Sequence, residues 1–256
     1  MLTQALLVAL ILGLFKMEFM LGYIQICRPI VISTAVGWAL GDASQGVIIG
    51  SVLELMFIGS FPIGAAVSPD YGSAGAICTA FAILTEGGTA IATALAVPVA
   101  LLGGFIFIGC KLMASFFSRL MSNQIEKGNM KAVSRTYLFG GWFVSFVPYF
   151  IYGFVSLSIG YTAVNAIVDK LPVVVINGLA TAANLLPAIG FALLLQMIIN
   201  KKVAPFFFLG FMLAAYLGMS TLAITFLGVI VVLILSSIKE DNAVLVNSFG
   251  GDDNEF

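Results

Sequence analysis

The sequence predicts an all-α polytopic membrane protein with about 7 to 9 membrane segments, some of them re-entrant or interrupted. Three observations carry that reading. Of the 256 residues, 61% are hydrophobic and only 9% are charged, where a soluble domain carries roughly 25% charged residues. The mean hydropathy is +1.13. Long apolar runs recur along the whole chain, broken by Gly and Pro rather than by polar linkers.

The first run, MLTQALLVALILGLF, has no basic residue before it, and Lys16 and Glu18 follow it, so it does not read as a cleavable signal. It is either a tilted span continued by 19–26 or an interfacial or re-entrant helix. Pro29 to Leu40 is the next apolar segment and closes on the turn signal Gly41-Asp42. A helix-like run follows from Gly46 to Ile58. In it Gly46, Gly50 and Glu54 recur every fourth residue and share one face. Glycines so spaced let a second backbone approach closely in lipid, which presses Glu54 towards a neighbouring element.

Pro62, Gly64 and Pro69 then make a continuous helix unfavourable, because proline lacks the amide donor and restricts the residue before it. Broken backbone at membrane depth is tolerated where it is buried in protein or lines a cavity. Segment 60–72 therefore reads as a re-entrant loop or interrupted helix, the alternative being a loop outside the bilayer. Glu54 precedes it and Asp70 lies within it, and an intramembrane carboxylate costs about 2.5–3.5 kcal/mol on insertion scales, which marks both as candidate site residues.

Beyond a turn at 85–88 and a long apolar run from Ala90 to Phe117, residues 119–135 form a basic loop. Arg119, Lys127, Lys131 and Arg135 stand there against the single acid Glu126, which makes the loop cytoplasmic by the positive-inside rule. It separates an N-terminal membrane half, 1–118, from a C-terminal half, 136–238, and an acidic tail, 239–256, follows. In the second half, 171–190 is again interrupted by Pro172, Gly178, Pro187 and Gly190, and carries Asn177 and Asn184. Pro205 to Ile238 exceeds one span and folds back near Gly218. A Gly/Pro-interrupted segment in each half points to a transporter with its binding site near the midplane.

Several functions are excluded or disfavoured. The chain has no histidine and a net charge of −1, so histidine-borne phosphate, histidine base chemistry and nucleic-acid binding are not expected of it. Cys27, Cys78 and Cys110 stand singly and read as buried packing residues, with no metal site and no cofactor expected. The inventory of Glu54, Asp70, Asn177, Asn184 and Gln196 suits a solute with several hydroxyls, such as a sugar. A secondary transporter of a small polar solute, or a membrane scaffold or receptor, remains the alternative.

The strings RPIVISTAVGWALGD (28–42), GVIIGSVLELMFIG (46–59) and PIGAAVSPD (62–70), followed in order by LPVVVINGL, LPAIGFALLLQMI and APFFFLGF, resemble the IIC subunit of the mannose, fructose and sorbose family of the bacterial phosphotransferase system. The likeness spans nearly the whole chain. It departs at Cys27 and Pro62, where members resembling the mannose transporter can carry a histidine and an asparagine.

The resemblance implies a core moving against a scaffold in an elevator-type cycle within the bacterial cytoplasmic membrane. A IID membrane subunit is the implied partner, in higher oligomers of IIC–IID pairs, with soluble IIA and IIB proteins carrying phosphate from phosphoenolpyruvate. No catalytic residue is then required on this chain. The substrate-binding residues implied are Glu54, Gly64, Ala65, Asp70 and Asn177, and Arg28 reads as an interfacial anchor, or as a residue that steadies a loop or the IID contact.

Overall fold

The computed structural model describes residues 2–22, 24–60, 68–168 and 172–249. All regular structure among them is helical: α1 (Leu2–Lys16), α2 (Pro29–Leu40), α3 (Ala43–Phe57), α4 (Tyr71–Leu84), α5 (Gly88–Glu126), α6 (Met130–Val168), α7 (Val173–Ile198), α8 (Ala204–Ala215) and α9 (Thr221–Phe249), with a 3-10 turn at Met17–Met20. Four stretches are long and apolar enough to cross a bilayer: Leu2–Met20, Gly88–Glu126, Met130–Tyr161 and Thr221–Ile238. The all-α, multi-pass membrane architecture expected of the sequence is the one observed.

The helix boundaries follow local chemistry. Pro29 opens α2, where a missing amide proton costs nothing. Gly41 closes it in the left-handed region, at φ 91°. Asp42 then caps α3 by accepting from the Gln45 amide at 2.9 Å. At 12 and 15 residues, these helices are about 18 and 22 Å long, short of the roughly 30 Å hydrocarbon core. They form a tight hairpin instead of two spans.

That hairpin is joined through a glycine seam. A Cβ on Gly37 would lie 2.6 Å from the Gly46 Cα, and one on Gly46 would lie 2.7 Å from the Ser33 carbonyl oxygen. Gly50 abuts Ser33, Ile30 and Pro29 in the same way. The face defined in the sequence by Gly46, Gly50 and Glu54 is thus the face that meets α2.

Helix α4 lies at the centre of the first compact unit, Met1–Gln196, with every residue from Gly72 to Ala82 buried. Its composition, YGSAGAICTAFAIL, is mostly small, which lets α2, α3, α5 and α6 all approach it. Helix α1 runs along α6, burying Val8, Ala9 and Leu12 completely, and so packs as part of the bundle. Gly13 leaves room there for the Phe146 ring, one rung of a stacked ladder of Trp142, Phe146, Phe150 and Phe154.

Two connections differ from expectation. Helix α5 runs to Glu126 and α6 starts at Met130, so the basic segment 119–135 is mostly helix, reversed at Gly128 with φ 68°. Its charges sit on two helix ends, where i, i+4 spacing is as compatible with helix as with a loop. Segment 171–190, expected to be interrupted, follows a continuous helical backbone from Val173 across Pro187. Membrane helices tolerate such prolines because local adjustment and neighbours satisfy the freed carbonyl.

The second unit, Met197–Phe256, contains α8 and α9, reversed near Gly218 at φ 61°. The fold-back expected near Gly218 is observed, and α9 continues to Phe249.

Candidate functional site

Helix α3 ends at Phe57 and α4 begins at Tyr71. Residues 61–67, including Gly64 and Ala65, lie outside the described residues. The polar side chains that flank this junction form two separate charge pairs, Glu54–Arg28 and Asp70–Lys16.

In the first pair Glu54, in the last turn of α3, accepts from the Arg28 Nε at 2.6 Å, and a second guanidinium nitrogen contacts the same carboxylate. The other carboxylate oxygen accepts from the Ile30 amide at 3.3 Å. Glu54 therefore sits on the first turn of α2, where free amides and the helix dipole favour an anion. The Arg28 guanidinium also lies 5.3 Å from the Tyr71 ring centroid. This pair remains partly open, with side chains 16% and 18% exposed.

In the second pair Asp70 caps α4, accepting from the Ser73 amide at 3.2 Å and the Ser73 hydroxyl at 3.0 Å. Its other partner is Lys16, whose Nζ stands 2.5 Å away. These two side chains are only 4% and 8% exposed, and the ammonium packs 4.7 Å from the Tyr149 ring centroid. Gly72 makes the space, since a Cβ there would come within 3.1 Å of the Lys16 nitrogen. Gly103 does the same for Asp70, at 2.8 Å from its Cβ. The Asp70 amide donates to the Ala100 carbonyl at 2.9 Å, tying the start of α4 to α5. Nearby, buried Glu18 accepts from the Cys27 amide at 3.0 Å.

The two carboxylates singled out in the sequence thus flank the same junction without touching each other, and each is neutralised by a base. Asn177 lies on α7, with its side chain outside the described residues, as is that of Asn184. Gln196 is exposed near the α7 end. Sequence reasoning missed Lys16 and Glu18, taken as flanks of an apolar run, and for Arg28 offered an anchor, a loop support or a partner contact without naming Glu54, with which the structure pairs it. The cost of burying a charge, which drew attention to Glu54, applies equally to Lys16.

Apolar spans packed into an all-helical bundle define a multi-pass membrane protein, and the charge pairs held inside it mark a candidate functional site. Comparison with known proteins is specific. Residues 2–234 match the family model described as the sorbose-specific IIC component of the phosphotransferase system. The mannose-specific EIIC component of Escherichia coli K12 is 31% identical over 89% of this chain and 85% of its own length. The sorbose-specific EIIC component of Klebsiella pneumoniae is 32% identical over 82% and 79%. The fructose permease IIC component of Bacillus subtilis is 29% identical over 84% and 80%.

Among solved structures, one titled as a membrane protein superposes with a TM-score of 0.82 at 29% identity, over 92% of this chain and 95% of that one. A cryo-EM structure of the mannose transporter ManYZ with microcin E492 gives 0.58 at 29% identity, over 93% and 96%. The chain belongs to the sorbose-specific IIC family of the phosphotransferase system, and its role is that of an EIIC membrane permease component.

Proposed function

We propose that this permease component binds its sugar at the α3–α4 junction and delivers it across the bacterial cytoplasmic membrane to a IIB protein that phosphorylates it. The observation that carries this reading is the partly open Glu54–Arg28 pair at the edge of the junction. A carboxylate and a guanidinium side by side offer acceptors and donors to vicinal hydroxyls, and Arg28 already lies against Tyr71. Glu54, Gly64, Ala65 and Asn177 are assigned to the sugar. Asp70, deeper and saturated by Lys16 and Ser73, is assigned as the residue that positions the junction.

The partners proposed are a IID membrane subunit, in higher oligomers of IIC–IID pairs, and soluble IIA and IIB proteins. The lack of histidine here supports phosphate being carried on those other chains. The basic end of the α5–α6 hairpin is assigned to the cytoplasm. The short α2–α3 hairpin, rigid along its seam, supports an elevator-type movement of a core against a scaffold.

The test is uptake in proteoliposomes containing this chain and IID, with and without IIA, IIB, the general phosphotransferase proteins and phosphoenolpyruvate. Sugar phosphate should accumulate only in the complete system. Glu54→Gln should abolish uptake while the IIC–IID complex still assembles. Accumulation of unmodified sugar without the soluble proteins would instead establish a secondary transporter, and full uptake by Glu54→Gln would overturn the site.

A further inference from the structure

The α5–α6 hairpin is longer than a membrane requires. Each of its helices has 39 residues, about 58 Å at the helical rise, against a hydrocarbon core of roughly 30 Å. Arg119 stands just past the apolar run that ends at Phe117, and Arg135 just before the one that opens at Tyr137. Bases in those places anchor a helix at headgroup level. Glu126, the last residue of α5, is about 10 Å farther along the helix than Arg119. The headgroup layer is only about 5–7 Å deep on each side, so the turn at Gly128 stands clear of the lipid.

The tip so presented is both basic and apolar. Lys127 and Lys131 lie on either side of the turn, with Arg119 and Arg135 behind them, and all four are exposed beside the single acid Glu126. Neither of the ion pairs among the described residues involves any of them. Ile125 and Met130, one on each side of Gly128, are 52% and 64% exposed. The positive-inside rule accounts for bases near the ends of spans. It does not account for large apolar side chains held out in water beyond them. An apolar pair rimmed by unpaired charge has the composition of a protein-docking surface.

We propose that the tip of the α5–α6 hairpin is the docking surface for a soluble partner with an acidic face, the IIB phosphocarrier. Carboxylates of that partner meet Lys127, Lys131 and the two arginines, and its apolar patch covers Ile125 and Met130. The proposal rests on the reading that IIB phosphorylates the sugar at the cytoplasmic face. Charge and position select the partner: a lipid surface would engage the arginines and leave Ile125, Lys127 and Met130 in water. The tip is also separate from the sugar site. Gly103, which lies against Asp70, is about 35 Å from Glu126 along α5, so docking and sugar recognition can be altered independently.

The experiment uses the intact IIC–IID complex in phosphatidylcholine nanodiscs, with formation of sugar phosphate measured against the concentration of phosphorylated IIB. Added salt should raise the KM for IIB, because exposed charges steer such an encounter. Lys127→Gln with Lys131→Gln should raise that KM roughly tenfold and flatten its salt dependence. Ile125→Ser with Met130→Ser should raise it with the salt dependence kept. In both, kcat at saturating IIB and sugar affinity should stay as in the unaltered complex, which a folding defect would not allow. Lys201→Gln with Lys202→Gln, a basic pair outside the hairpin, should change nothing. An unchanged KM in both hairpin variants, while the unaltered complex makes sugar phosphate, would overturn the docking surface alone. An effect confined to nanodiscs containing phosphatidylglycerol would also overturn it, assigning the tip to lipid. No sugar phosphate from the unaltered complex with IIB would overturn the parent reading and the docking surface together.

Discussion

The ammonium of Lys16, at the end of α1, and the carboxylate of Asp70, the cap of α4, are separated by 2.5 Å and by 54 positions in the chain. They are the most enclosed oppositely charged pair among the described residues. Removing one member of such a pair leaves a buried charge without its counterion, and costs about 3–5 kcal/mol. Lys16→Met and Asp70→Asn should each destabilise the fold on that scale, and the double variant should cost less than the two added. Asn at 70 keeps an oxygen for the Ser73 amide, so the cap survives and the cycle isolates the pair. Denaturation in mixed micelles measures it, and strictly additive losses would show that the two charges are uncoupled.

The Arg28–Glu54 pair makes a different prediction because it is partly open. Arg28→Lys keeps the charge but loses the planar fork. A hydrogen bond to a charged group contributes about 1.5–3 kcal/mol, so sugar affinity should fall by roughly tenfold or more while assembly persists. Equilibrium binding of the transported sugar reads this directly, and unchanged affinity would place the sugar away from Arg28.

Glycine substitutions separate close packing from helix propensity. Gly46→Ala and Gly37→Ala put a methyl group against backbone that has nowhere to go, at a cost of about 1–3 kcal/mol. Gly109→Ala on α5 meets nothing within 4 Å and should stabilise by about 0.5–1 kcal/mol. Thermal melting of the three variants is the measurement. A similar response at all three positions would mean that the seam is looser than described.

Cys27, Cys78 and Cys110 are all buried and unpaired by disulfide. A charged maleimide should therefore label none of them rapidly in the folded protein and all three after denaturation, as counted by mass spectrometry. Fast modification of Cys78, the most central, would indicate that α4 opens to water.

What the sequence disclosed and what it withheld divide along a physical line. Local periodicity disclosed the parts of the α2–α3 hairpin, though not that α2 is the neighbour: Gly41-Asp42 marked the turn, and Gly46, Gly50 and Glu54 marked the packed face. Fold class was equally open to reading, because hydrophobic runs with few charges have few soluble alternatives. The partner of Glu54 was not, since Arg28 precedes an apolar run and looks like any interfacial anchor until the hairpin closes. Lys16 was harder still. Nothing nearby in the chain pairs with it, and its counterion arrives only when α1 and α4 meet. Pro187 misled for the opposite reason, a local helix-breaking signal across which the backbone stays helical.

The glycine seam also governs how far a small change is felt. Gly46 lies eight residues before Glu54, about 12 Å along α3, and with no side chain between the two backbones there is nothing soft to absorb a shift. A methyl group introduced at the seam would tilt α3 as a lever and reach Glu54 as a displacement of its carboxylate. Selectivity at the junction is then adjustable from positions that never meet the solute, and relatives that share Glu54 and Arg28 can differ in what they carry through the residues that set how closely α2 and α3 lie.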